Sequence, residues 1–427
     1  MKIAKHFIYK PKTREQIILG CLTYASARLF NAGNYQRHNW SKESGEDYPN
    51  WYKQKKELKT TFWYKNLPSQ TAQETLKVLD KSWKSFYRLI EQYKNGQLEN
   101  KPNPPYYKAK NSKYNVRFLN NGFKKVDGKF RLSLPKQLKT YLEEKHLIED
   151  KYLYLEIPKF LNFNSVKIKM IEFKPLKDNT YKVSVIVETP DIECKKDNGK
   201  YLSIDPGVNN FMTCYDNNKK KSFIISGRQY LSVSRYFDKT IKHYQSIVNA
   251  QQNRDEERPA STKRIKLLYR KRQRQLNHIL HSASKKIVDY CIVNDISKVF
   301  IGNIKNIREN TNHGKVNNQK LHRLPYNKLY QQLEYKLAKE GISLIKVKEN
   351  YTSQCSPHVP KVSKLYAKKS NRKYRGLYID KKYGKVYNAD AVGAFNILKK
   401  ELDKDFVIGN LSNPKTYRWI DNKFKAA

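Results

Sequence analysis

Apolar and polar positions alternate at the start of the chain, so Ile3 to Tyr9 reads as a short strand followed by a polar break through residue 16. From about residue 17 to 94 the pattern becomes helical. It is clearest after Gln70, where Ala72, Leu76, Leu79, Trp83, Phe86 and Leu89/Ile90 recur at spacings of three and four. Pro68 and Ser69 supply the N-terminal signal of that helix. Pro102, Pro104 and Pro105, flanked by lysines, mark a loop. Residues 115–190 read as β: Asp127-Gly128 is a hairpin signal, Val166, Ile168 and Met170 alternate with lysines, and Val183, Val185 and Val187 repeat the alternation. This predicts a half-buried sheet with a basic outer face.

Beyond residue 199 the order changes. Strands are expected at 201–205, 211–216 and 221–226, followed by long helices. Ile241, Tyr244 and Ile247/Val248 mark one helix; Leu268, Leu276, Ile279, Ala283, Ile287 and Tyr290 mark the next. Strand 298–302, helix 325–340, strand 342–348 and a helix from 390 complete the series. Three sequential strands, then alternating helix and strand, is the element order of an RNase H-like fold. No internal repeat or low-complexity tract interrupts it.

Charge narrows the possible partners. Lys and Arg total 86 against 39 Asp and Glu, a formal charge of +47 spread along the whole chain. Such an excess opposes compaction unless a polyanion neutralises it, so nucleic acid over a large surface is the expected partner. A ribosomal-type structural binder or a membrane-surface protein are the competing classes on composition alone. The 32 tyrosines and 5 tryptophans are mostly core, with the remainder able to stack on unpaired bases. Five cysteines (21, 194, 214, 291, 355) show no paired spacing, which excludes a disulfide framework and fits a reducing compartment. There is no long apolar run, so a soluble cytoplasmic protein is expected, nucleoid-associated when bound to DNA, with no membrane partner.

Two acidic motifs carry candidate chemistry. Asp205 closes the apolar strand Tyr201-Leu-Ser-Ile-Asp205 and is followed by Pro206-Gly-Val-Asn-Asn-Phe211. Asp390 opens a helix-like segment in Tyr387-Asn-Ala-Asp390-Ala-Val-Gly-Ala-Phe-Asn396. Carboxylate oxygens suit hard divalent cations, though a strand-end turn and a helix N-cap would account for the two aspartates without any metal. Lys263, Arg264, Lys266, Arg270, Lys271, Arg272 and Arg274 crowd one predicted helix, either as a solvated face or as a wall against a duplex. Ser69, Gln70, Gln73 and Lys77 open the helix after Pro68, where amide side chains are suited to reading base edges.

These motifs together resemble the TnpB family of transposon-encoded RNA-guided DNA nucleases, relatives of the small type V CRISPR effectors. Gly207, Asn209 and Asn210 around Asp205 match the family's first nuclease motif, and Asn388, Ala389, Gly393, Ala394 and Asn396 match the motif around Asp390. Many relatives carry a glutamate at the end of the fourth strand, where this chain has Gly302 in Val299-Phe-Ile-Gly302-Asn303. Two acids are candidates to replace it: Glu309 in the polar loop Arg308-Glu-Asn-Thr-Asn312, and Glu349 at the end of Ile342-Ser-Leu-Ile-Lys-Val-Lys348. In the RNase H order the second strand lies beside 298–302, so a glutamate at its end can reach into the space above Gly302. Ile301-Gly-Asn-Ile-Lys, Gly314-Lys-Val-Asn-Asn318, Leu324-Pro-Tyr326, Tyr335-Lys336 and Glu349-Asn-Tyr-Thr-Ser353 resemble a subgroup whose acid precedes Tyr-Thr-Ser, which selects Glu349.

The resemblance covers 200–400 closely and the N-terminal half more loosely. It implies a multidomain α+β and α/β chain: an N-terminal β-barrel (wedge) with an inserted helical recognition lobe, then an RNase H-like (RuvC) nuclease domain with an inserted ribbon-like segment. The implied boundaries are 1–16 and 115–198 for the wedge, 17–114 for the lobe, 199–353 and 388–427 for the nuclease, and 354–387 for the ribbon. Most relatives bind structural zinc in that ribbon. Here Cys355 and His358 supply half a set, and Ile379-Asp380-Lys-Lys-Tyr383-Gly384 holds no cysteine, so structural Zn²⁺ is expected to be absent. The implied activity is Mg²⁺-dependent, RNA-guided cleavage of DNA beside a short flanking motif, with a two-metal site on Asp205, Glu349 and Asp390. The implied partners are a guide RNA, target double-stranded DNA and the RNA–DNA heteroduplex. The alternatives are a nuclease-inactive RNA-guided repressor decayed at Gly302, a compact type V CRISPR effector, and a metal-dependent transposase acting without RNA.

Overall fold

The structure is a computed structural model describing the chain apart from residues 1, 42, 44, 162, 164, 165, 177, 178, 252–260, 305–313, 315–317, 319–323 and 375. It divides into two compact units, Met1–Pro190 and Asp191–Ala427.

In the first unit, β1 (Lys2–Tyr9) leads into α1 (Thr13–His38), α2 (Trp51–Leu58), α3 (Phe62–Lys65) and α4 (Ser69–Lys94). Then come β2 (Val116–Leu119), β3 (Phe123–Val126), β4 (Lys129–Ser133), α5 (Lys136–His146), β5 (Tyr152–Glu156), β6 (Lys167–Pro175) and β7 (Tyr181–Glu188). The first strand pairs antiparallel with the last, Phe7 opposite Val183, so the four helices are an insertion between strands of one sheet. The strands expected to form a barrel make two sheets, β1-β7-β6-β2 and β3-β4-β5, and no ladder among the described residues joins them. Leu22, Leu76, Phe118, Phe130, Phe173 and Val185 lie in one shared core. Asp127 and Gly128 both take positive φ (47° and 71°), which gives the β3–β4 hairpin the twist its strands need.

Two local expectations change. The polar break ends sooner, since α1 begins at Thr13. The run read as all-β contains α5, where Pro135 precedes the first turn and Leu138 and Leu142, four apart, are buried. Strand-like flanks hid that short period.

The second unit opens with β8 (Tyr201–Asp205), β9 (Asn210–Asp216) and β10 (Lys221–Ser226), then α6 (Arg228–Ala250) and α7 (Lys263–Val293). It continues with β11 (Lys298–Gly302), α8 (Tyr326–Ala338), β12 (Ser343–Val347), β13 (Arg372–Tyr374), β14 (Leu377–Asp380), β15 (Lys385–Asn388), α9 (Ala389–Leu402), β16 (Asn410–Ile420) and β17 (Lys423–Ala426). Seven strands form one sheet in the order β12-β11-β8-β9-β10-β16-β17. β8, β11 and β12 are parallel, while β9 runs antiparallel to both of its neighbours. Counted along this unit, the first five strands stand in the order 5-4-1-2-3.

The last two strands are an addition that the hydrophobic pattern does not predict. Of β16 only Leu411 is buried, and its register with β10 slips across Pro414, so it carries almost no alternation. Helices cover both faces of the sheet. Leu202, Ile204, Val299 and Ile301 pack with α7 and α8. Tyr215, Phe300 and Val347 pack with α9 on the other face. Among the described residues no helix is long and apolar enough to cross a membrane.

Candidate metal centre

Strand parity selects the residues of the site. Successive strand side chains point to opposite faces, so if Leu202 and Ile204 face α7, Asp205 faces α9. By the same count Phe300 and Gly302 share the α9 face of β11. Ile345 and Val347 do so on β12, and Glu349, two residues further, continues their side. The C-terminal ends of three neighbouring parallel strands therefore meet the start of α9.

Asp390 lies in the first turn of α9, where the helix dipole favours an anion. Asn388 caps that helix, its side-chain oxygen accepting from the backbone N–H of Asp390 and of Ala391, each at 3.1 Å. Asn210 donates to Asp390 Oδ2 at 2.9 Å, and the Arg372 guanidinium stands 3.4 Å from Oδ1. One turn along α9, a side chain at Gly393 would place its Cβ 2.5 Å from Asp205 Oδ2. The glycine thus lets the Asp205 carboxylate rest against the helix.

Glu349 occupies the place where a residue 302 side chain would be. A Cβ on Gly302 would lie 1.9 Å from Glu349 Oε1, 2.7 Å from its Cδ and 2.8 Å from its Cγ. The turn that follows is tied back: Thr352 donates its N–H (3.2 Å) and Oγ1 (2.8 Å) to the Glu349 carbonyl. Buried Asn396 of α9 donates to the carbonyls of Thr352 (2.7 Å) and Cys355 (2.8 Å), and Lys400 reaches Asn350 at 3.0 Å. The helix that carries Asp390 also holds the turn that carries Glu349.

The electrostatics suit a hard divalent cation. Burial pushes the Asp205 carboxyl well above its usual range, and the charges of Glu349 and Asp390 push it further, against the pull of Arg372. Burial raises Glu349 to about 7. Its Oε1 is buried with no hydrogen-bond partner among the described residues. Desolvated, mutually repelling oxygens are what a hard divalent ion relieves, so these donors suit Mg²⁺. Among the described residues no group of three or more His, Cys, Asp or Glu stands in a geometry that would hold a metal ion, so the carboxylates converge on one region without closing on a point. Glu309 lies outside the described residues.

The ribbon segment spends its two candidate zinc ligands elsewhere. Buried Cys355 donates to the Ser363 carbonyl at 3.3 Å. His358 bonds the Tyr387 hydroxyl at 2.9 Å and stacks on Tyr383 with ring centres 4.1 Å apart. Ser356 donates to buried Asp380, and the strands of this segment form a three-stranded sheet, β13-β14-β15.

The expected nucleic-acid residues are placed unevenly. On α7, Lys263, Arg264 and Arg274 are exposed and Arg270 is half-buried. Arg264 lies over the Tyr244 ring at 4.2 Å, while Arg272 turns inward to Ser234 and Asp238. On α4, Ser69 is exposed and accepts from Gln73 at 3.3 Å, and the Gln70 Oε1 has no hydrogen-bond partner among the described residues. Lys77 is held by Glu74 at 3.0 Å and by the Trp51 ring at 4.7 Å. Arg372 escaped the sequence reading because nothing local separates it from the other 85 of 86 cationic residues.

Comparisons with known proteins agree with the fold. The family described as a probable transposase (OrfB_IS605) matches residues 184–308, and the Cas12f1-like TNB domain matches 326–397. A TnpB-like protein, ORF457 of Acidianus two-tailed virus, is 26% identical over 428 aligned positions, covering 92% of this chain and 84% of that protein. A solved Cas12f1–sgRNA–target DNA complex superposes with a TM-score of 0.58 at 17% identity, covering 90% of this chain and 82% of that one. The chain resembles the TnpB family in sequence and Cas12f1 in multidomain α+β fold.

Proposed function

We propose that the chain is an RNA-guided, Mg²⁺-dependent DNA endonuclease whose second unit is an RNase H-like (RuvC) nuclease. The carrying observation is the Glu349 carboxylate lying across Gly302, on the sheet face shared with Asp205. The 5-4-1-2-3 strand order supports the nuclease fold. The similar Cas12f1 complex contains guide RNA and target DNA, which supports the same partners here.

Asp205, Glu349 and Asp390 would hold the cations, which when bound stabilise the attacking and leaving oxygens of a phosphodiester. The remaining work falls to this chain's own residues. Asn210 holds Asp390 in one orientation. Arg372, 37% exposed at its side chain, faces outward enough to meet the phosphate of an incoming strand. The exposed cations of α7 hold duplex by shape and phosphate, and the start of α4 reads the flanking motif. In this reading 1–16 and 115–198 act as the wedge, 17–114 as the recognition lobe and 354–387 as a degenerate zinc-ribbon-like segment that binds target nucleic acid, in the cytoplasm.

The test is cleavage by protein purified with its native transcript, presented with matching DNA beside a randomised flank. Mg²⁺-dependent cutting next to an enriched motif is expected, abolished in Asp205→Ala and Asp390→Ala with guided binding retained. Tight guided binding with intact DNA would leave a repressor instead. Cutting without any copurified RNA would point to a transposase.

A further inference from the structure

The nuclease reading leaves one feature of the site unexplained. Gly302 ends its strand, and the last ladder bond beside it is Asn303 N–H to the Val347 carbonyl at 2.8 Å. Glycine is the residue whose backbone is least restrained, so a strand end at glycine tends to wander. Yet Glu349 fits only if this segment stays still, because its side chain fills the space directly over Gly302.

A single side chain from α8 supplies the restraint. The Tyr330 hydroxyl donates to the Gly302 carbonyl at 2.6 Å and accepts from the Ile304 N–H at 3.2 Å. Both bonds of that hydroxyl go to the one backbone segment on which Glu349 rests. The residue is 5% exposed and its ring packs in the core of α7, α8 and the sheet, so the hydroxyl has little freedom of its own. The charges of Glu349 and Asp205 both reach it. A phenylalanine would fill the same core volume. The core therefore does not account for the hydroxyl.

We infer that Tyr330 is a positioning residue for the metal centre: its hydroxyl bridges Gly302 and Ile304 and so fixes the backbone slot in which the relocated Glu349 carboxylate is held. The inference rests on the proposed metal role of Glu349 and extends it to a residue that touches neither metal nor substrate. Partners of metal-ligating groups commonly contribute about 10–100-fold to metal affinity, and the same scale is expected here.

The experiment compares wild type, Tyr330→Phe, Glu349→Gln and Tyr290→Phe as full-length chains. Tyr290→Phe is the control, because it removes a part-buried hydroxyl bond from α7 to Asp216 of β9 (2.7 Å). Mn²⁺ binding to RNA-free protein is read by the paramagnetic resonance of the free ion, alongside thermal midpoints. Cleavage by the guided complex is read across a metal titration. Tyr330→Phe should weaken Mn²⁺ binding roughly tenfold or more, and lose cleavage at limiting metal but regain it as metal is raised. Tyr290→Phe should lower the thermal midpoint without moving the metal curve. Unchanged Mn²⁺ binding in Tyr330→Phe, or a cleavage loss that metal does not restore, overturns the positioning role. If Glu349→Gln binds Mn²⁺ like wild type, the metal reading of Glu349 itself fails. If wild type binds Mn²⁺ but never cuts, the nuclease reading fails and the binding comparison still decides the role of Tyr330.

Discussion

Asp205 and Glu349 belong to the residue scale, and both are held in a state that the unfolded chain does not share. Their folded carboxyls bind protons more tightly than exposed ones, Glu349 up to about 7. In metal-free protein the Glu349 part of this stabilisation is present below the ordinary carboxylate range and is lost as pH rises through about 7. Melting in chelator should therefore show a falling midpoint between pH 5 and 8, flattened in Glu349→Gln and offset by added Mg²⁺. A midpoint independent of pH would contradict the buried, uncompensated carboxylates. Gly302 allows a sharper test. Gly302→Ala adds one methyl group 1.9 Å from Glu349 Oε1 and must displace that carboxylate from its place, so cleavage should fall toward the level of Glu349→Gln. The exchange Gly302→Glu with Glu349→Gln returns an acid to the same space. Only weak rescue is expected, since misplacement by ~1 Å can cost on the order of 10²-fold.

At the element scale, the three-stranded sheet of β13, β14 and β15 and the turns before it are held by side-chain bonds, Cys355 to Ser363, Ser356 to Asp380, His358 to Tyr387 and Tyr378 to Asn371. Cys355→Ser keeps a donor of similar size, so it should melt close to wild type, and a zinc chelator should leave the midpoint where it was. A chelator-induced drop would mean that a metal site is present after all. Replacing Asp380 with Ala, in contrast, leaves the buried Ser356 O–H without its acceptor, although its Oγ still accepts from the His358 N–H, at a cost of about 1–3 kcal/mol.

The charge of +47 acts on the whole molecule, since both units carry it and neither can neutralise it internally. Ion pairs such as Lys298–Asp197 and Lys200–Asp295 cannot balance it, since 39 acidic residues stand against 86 cationic ones. Binding to RNA or DNA should therefore weaken linearly in log–log plots against salt, with a slope that counts released counterions. Bound RNA should also raise the thermal midpoint, because the folded chain gathers the charges that the polyanion neutralises. Salt-independent binding would exclude the phosphate backbone as the main contact.

The sequence by itself determined the elements that own a regular apolar period, and with them the order of the second unit. β8 through β12 and helices α6 to α9 fall where their patterns put them, because buried faces repeat at 2 or 3.6 residues and need no distant information. It also singled out Asp205, Asp390 and Glu349; that Asp205 and Glu349 share one face of the sheet follows from strand parity, and Asp390 joins them from the first turn of α9. Tertiary structure decided what lacks a period of its own. β16 and β17 are strands because a neighbouring edge accepts them, although only Leu411 and Phe424 among their residues are buried. Arg372 stands 18 residues before Asp390, and Tyr330 stands 28 residues after Gly302; their partners are set by how the chain returns on itself. Local sequence records how deeply a side chain is buried, and a single polar contact across the fold leaves no periodic trace of which atom it meets.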